Sequence, residues 1–184
     1  MKYVIILLSF IFLLKVSASP LNAQISFPTI SPTITPNIEY ALPYAGILPD
    51  HPLFFFKQIR DRILILFTRQ PLKKSQLYLV LSDKSLVMGG LLWEKGNYNL
   101  STVTLNDGEK YLLQSVMVLF NVTNKDQDIP PGMADKLELA AKKHEEAIIN
   151  TIEKTQESSQ KQNLDQALSI THQAIQKIST LKSL

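Results

Sequence analysis

From Leu48 onward the chain spaces its apolar residues three and four apart, the period of helices that each bury one face. "LPDHPLFFFKQIRDRILILF" opens this zone, with Asp50 as the expected N-cap, Pro52 in the first turn and an end near Phe67. At 100° per residue, Phe55, Phe56, Ile59, Ile63, Leu66 and Phe67 share a face that is expected to pack into a core. Lys57, Gln58, Arg60, Asp61 and Arg62 lie opposite. Phe54 and Ile65 fall on that polar side at nearly one azimuth. They are the candidate contact surface, covered either by the chain folding back through Ile47 and Leu48 or by a partner.

A second helix is expected from Pro71, with Leu77, Leu81, Met88 and Leu92 as its stripe, ending at Gly96. Gly89 and Gly90 inside it are unfavourable for a helix and predict a kink or, in preference, a close helix crossing. "EKGNY" reads as a tight turn with Gly96 at C′ and Asn97 as N-cap. "NLSTVTL" alternates like a strand, but Tyr111, Ser115, Val118 and Val122 continue it at helical spacing and predict a third helix. After the polar "NKDQDIPPG", a fourth helix is expected from Met133 to Ser158. Its apolar face carries Met133, Leu137, Ala140, Ala141, His144, Ile148 and Ile152. A turn near Lys161-Gln162-Asn163 leads to a fifth helix with Leu164, Leu168, Ile175, Ile178 and Leu181. The prediction is an all-α bundle of about five helices over residues 45–184, in hairpins 52–122 and 133–183.

The first forty-four residues are different. Lys2 precedes an apolar run from Tyr3 to Leu14, and a helix of that length reaches only about 18 Å, too short to cross a bilayer. "VSAS" follows, with Val16 and Ala18 placed for signal peptidase, so residues 1–18 are expected to be a secretory signal. The alternative is an uncleaved anchor, with Lys15 unusual just before a cleavage site. Residues 19–44 hold Pro20, Pro28, Pro32, Pro36 and Pro43, which fix φ and lack amide donors; an extended Pro/Thr/Ser-rich tether is expected.

Composition narrows the chemistry. The 184 residues contain no cysteine, which leaves no disulfide framework and no lipid-attachment cysteine. Removing Lys2 and Lys15 from nineteen basic residues leaves seventeen against sixteen acidic ones, a net +1, which gives nucleic acid no long-range attraction. His51, His144 and His172 stand apart, without metal-ligand spacing, and are expected at surface or boundary positions. Asp83, Glu94, Glu109, Glu138, Glu145 and Glu153 are expected on solvated faces, with Glu138 and Lys142 paired one turn apart. No nucleophile elbow or phosphate loop is present. No catalytic residue, metal or cofactor is therefore assigned.

"LPDHPLFFFK", "PLKKSQLYLVLSDKSL" and "EKGNY" together resemble a bacterial domain-of-unknown-function family of exported helical proteins. Its members open with Leu-Pro-Asp/Gly-x-Pro-Leu-Tyr-x-x-Lys; Leu48, Pro49, Asp50, Pro52, Leu53 and Lys57 match, and Phe54 stands where tyrosine is usual. The resemblance spans about residues 43–113 and implies an exported helical domain with no activity attached. Ser75, Ser82, Ser85 and the Gly89-Gly90 pair depart from it. The expected function is a non-catalytic, exported or envelope-associated module that binds a protein or envelope component. It would meet a membrane only through an uncleaved signal. The alternative is a bundle that carries an apolar small ligand between its helices, with Phe55, Phe56, Trp93 and Met88 as its lining.

Overall fold

The structure, a computed structural model, describes residues 38–123 and 129–183. The expected signal, residues 1–18, and the tether as far as residue 37 lie outside these. Residues 35–184 belong to one compact unit. Among the described residues there are five helices and no strand: α1 Phe54–Phe67, α2 Pro71–Glu94, α3 Tyr98–Thr123, α4 Met133–Glu153 and α5 Ser158–Lys182. The all-α expectation holds, and "NLSTVTL" is helical.

Helices α2 and α3 form the tightest pair, for a reason visible in their side chains. Ser75, Ser82 and Gly89 recur every seven residues on α2, as Ser101, Gly108 and Ser115 do on α3; all six are buried. A seven-residue repeat keeps small residues facing the partner helix along the crossing. Ser75 pairs with Ser115, each hydroxyl donating to the other's carbonyl at 2.9 and 2.8 Å. At the other end the Ser101 hydroxyl donates to Gly89 O at 2.7 Å. Between them, a Cβ on Gly108 would sit 2.8 Å from Ser85 Cβ and 3.5 Å from Ser82 O. The close crossing expected of the glycine pair belongs to Gly89 alone, where a Cβ would meet Leu105 at 2.5 Å; Gly90 faces open space. The hairpin closes through Gly96 at φ +77°, whose N–H reaches Trp93 O while that of Asn97 reaches Leu92 O.

The α4–α5 hairpin packs across α3, mainly through α5. Buried Leu79, Leu112, Val116, Leu119, Leu137 and Ile178 belong to one apolar cluster, and Leu86, Leu105 and Leu164 to a second. The turn between α4 and α5 comes at 154–157, earlier than the expected 161–163. Thr151 and Thr155 turn their hydroxyls back onto carbonyls four residues earlier, and the Thr155 N–H closes onto Ile152 O. Glu157 then gathers Gln160 Nε2 at 2.6 Å as the next helix begins.

Two expectations near α1 are corrected. Asp50 does not cap it: the helix starts at Phe54 with no side-chain cap, and Asp50 instead pairs with Lys95 at 2.9 Å. That ammonium holds the Asp50 carboxyl below its usual range. The apolar face of α1 does not pack into the bundle either. Its residues are exposed, and the side turned inward carries half-buried Phe54, Lys57, Asp61 and Ile65. Phe54 and Ile65 are thus partly covered from within. The last residues of the expected tether also lie on the bundle, with Tyr40 and Leu42 packed against the two clusters.

Candidate interaction surface

Two features stand apart from ordinary helix packing: a charged layer inside the bundle and the outward face of α1.

The layer separates the apolar clusters along each helix. Asp83 lies between Leu79 and Leu86, Glu109 between Leu105 and Leu112, and His144 between Ala141 and Ile148. His144 Nδ1 is 2.7 Å from Glu109 Oε1 and Nε2 is 3.1 Å from Asp83 Oδ1. Both nitrogens meet carboxylate oxygens, which only the imidazolium satisfies, since it donates from both. The Tyr40 hydroxyl donates to Asp83 Oδ2 at 2.8 Å and the Thr171 hydroxyl to Glu109 Oε2 at 2.8 Å. Burial alone would favour neutral imidazole, but the Glu109 and Asp83 carboxylates outweigh it and raise the His144 pKa from 6.5 to about 9. Burial beside Asp83 likewise raises the Tyr40 phenol well above its ordinary value.

This arrangement corrects three expectations. His144 is fully buried rather than at a surface or boundary position, and Asp83 and Glu109 are buried rather than solvated. The periodicity had already placed His144 on the apolar face of α4; its position among alanines and isoleucines was the signal that it needed an interior partner. Glu138 and Lys142 do pair, at 2.6 Å, on the surface. His51 and His172 are exposed, and His172 bonds Glu145 at 2.8 Å. Among the described residues no group of three or more His, Asp and Glu is arranged to hold a metal. All four oxygens of Asp83 and Glu109 are engaged by internal donors, so the layer has the character of a structural brace.

Helix α1 is built the opposite way. Among the helices it touches only α2. Lys57 holds it in place, its ammonium donating to Ala45 O at 2.8 Å and Ile47 O at 3.1 Å and lying 5.4 Å from the Phe54 ring centre. Partial burial lowers the Lys57 pKa. Asp61 is also turned inward, its side chain 13% exposed and bonded to Arg60 at 2.7 Å. On the other side Phe55 is 62% exposed, Phe56 66%, Leu66 74% and Phe67 75%, with Ile59 and Ile63 exposed beside them. Taking about 200 Å² for each whole side chain, these six leave roughly 700 Å² of apolar surface in water. The largest such patch on a typical monomer is about 300–600 Å².

Beneath α1, against α2 and α3, runs a groove of about 520 Å³. It is lined by the polar inner side of α1 (Lys57, Gln58, Asp61, Arg62) and by Lys84, Asp107 and Tyr111 opposite. Phe55 and Met88 also reach it, whereas Phe56 lines a neighbouring hollow with Ala45 and Ile47. Trp93 packs instead against Tyr98, with ring centres 4.6 Å apart and planes tilted by 58°. The four residues expected to line a ligand cavity therefore do not converge.

No family model, curated protein or solved structure matches this chain.

Proposed function

We propose that this protein is an exported, non-catalytic helical module that works by binding, and that the outward face of α1 is its binding surface. The observation that carries the reading is the inversion of α1: an amphipathic helix held on the bundle by its polar side, with Phe55, Phe56, Leu66 and Phe67 in water. Leaving such a face exposed opposes folding economy and solubility alike, and contiguous apolar surface of this size marks a site of association. The brace of Asp83, Glu109 and His144 supports the same reading, because its titratable groups are consumed by one another. Export follows from the apolar run Tyr3–Leu14 and the small residues through Ala18, and the binding target is then a component of the cell envelope.

The test is co-sedimentation of the chain from Ser19 with isolated envelope fractions. Phe56→Ser with Phe67→Ser should abolish it while the helical circular dichroism spectrum stays unchanged. Undiminished co-sedimentation of the folded double variant would refute the reading.

A further inference from the structure

The binding partner has a recognisable chemistry. Resting on the reading of α1 as the binding surface, we propose that α1 lies flat in the interfacial zone of an anionic lipid bilayer, its outward face among the acyl chains.

Charge is the first argument. Residues 54–74 carry six bases (Lys57, Arg60, Arg62, Arg69, Lys73, Lys74) against one acid, Asp61, a net of +5. Residues 75–184 carry eleven bases and thirteen acids, a net of −2. Lys57 is turned inward onto the Ala45 and Ile47 carbonyls and Arg60 is paired with Asp61, which leaves Arg62, Arg69, Lys73 and Lys74 as the local excess of positive charge. A basic cluster beside an exposed apolar face is the complement of an anionic lipid surface.

Placement around the helix is the second. At 100° per residue, the arc from Phe55 to Phe67 is flanked by Arg62 at one edge and Arg60 at the other. Both edge side chains are exposed; Arg60 is held by Asp61, while Arg62, which also borders the groove, is long enough to extend toward headgroups as the arc enters the hydrocarbon boundary. The single acid is turned away: Asp61 faces the bundle and is bonded to Arg60.

Length and hydration complete the case. Fourteen residues make a helix of about 21 Å, too short to span a bilayer but suited to lying in its plane. Among the described residues no helix is long and apolar enough to cross a membrane. An in-plane helix needs its polar side wet, and the groove beneath α1 supplies that space.

A second copy of the chain is the poorer occupant. Isologous pairing through this face would bring two copies of the arginines at its edges together, which like-charge repulsion opposes. A protein partner would also accept an apolar, aromatic core; what favours an anionic lipid surface is the rim of the arc, where Arg62 and Arg69 stand and the one acid, Asp61, is turned inward.

The experiment is vesicle flotation of the chain from Ser19, which retains the whole bundle and lacks the apolar run Tyr3–Leu14. Vesicles of phosphatidylcholine alone are compared with vesicles containing phosphatidylglycerol as about a third of the lipid. The expected result is partitioning at least tenfold stronger onto the anionic vesicles, reduced by 0.5 M salt. Phe56→Ser with Phe67→Ser should abolish it, and Arg62→Gln with Arg69→Gln should remove the preference for anionic lipid. Equal partitioning onto both vesicles, or none onto either, overturns the inference. So does a dimer in light scattering that the phenylalanine double variant dissolves. If vesicles fail while envelope co-sedimentation still depends on Phe56 and Phe67, only the lipid assignment falls. If co-sedimentation ignores those residues, the binding role of α1 falls as well.

Discussion

His144 shows how one side chain ties four helices and a strap together. It comes from α4, its ring meets Asp83 of α2 and Glu109 of α3, and those carboxylates receive Tyr40 and Thr171. Because its folded pKa of about 9 exceeds the ordinary 6.5, the stabilisation is complete below about pH 6.5 and disappears as pH rises through 9. Urea unfolding at pH 6 and pH 9.5 should therefore differ, with the chain less stable at the higher pH by on the order of 3 kcal/mol. His144→Gln should be less stable than the parent at pH 6 and should lose most of this dependence, because a buried carboxylate pair left without its cation is strongly destabilising. A parent chain equally stable at both values would show that folding does not raise the imidazole's pKa, and one less stable at pH 6 that the ring is neutral in the fold.

At the scale of the helix, α2–α3 and α1 obey opposite rules. The first is specified by the absence of side chain. Gly108→Ala should destabilise by about 1–3 kcal/mol despite alanine's better helix propensity, because the new methyl meets Ser85 Cβ at 2.8 Å on a buried seam. Gly90→Ala, into open space, should stabilise by up to about 1 kcal/mol. Thermal melts of the two variants decide it, and equal effects would mean that the hairpin is loose. For α1 the order is reversed. Phe54→Ser and Ile65→Lys, on the half-buried side, should each cost more than about 1 kcal/mol in urea unfolding, whereas Phe56→Ser should stay within about 0.5 kcal/mol. Indistinguishable values would place the packed face elsewhere. Periodicity located α1 and its two faces, but the expectation that the apolar face met the bundle was wrong. The face that meets it depends on Lys57 reaching the carbonyls of Ala45 and Ile47, contacts between residues with no shared pattern. Gly89 and Gly90 signalled a close crossing, but not the seven-residue seam with Ser75 and Ser82, whose partner residues on α3 lie in a stretch that also alternates like a strand.

For the whole molecule, export and architecture are separable questions. The bundle from Tyr40 onward makes its own contacts, so cleavage after Ala18 would remove no part of it. Mass spectrometry of the protein from its native host should find Ser19 as the first residue; an intact Met1 in the membrane fraction would mean a retained anchor. The packing of α2 to α5 follows from the apolar stripes, and that of α1 does not. The charged layer between the apolar clusters does not, because Asp83 and Glu109 carry no sign in the sequence that they will meet across the bundle.

The small-residue seam also sets an order of assembly. Its first pair, Gly89 with Ser101, joins residues only 12 apart across the Gly96 turn, and Ser75 with Ser115 closes 40. Zipping outward from a turn adds little loop-closure entropy at each step, so this hairpin is positioned to nucleate folding. His144 arrives later, since it must find Asp83 across 61 residues and Glu109 across 35. Until it does, both carboxylates face water on an unfinished hairpin. Gly108→Ala should therefore slow refolding, while His144→Gln should chiefly speed unfolding; stopped-flow chevrons with the reverse assignment would put the nucleus in the other hairpin.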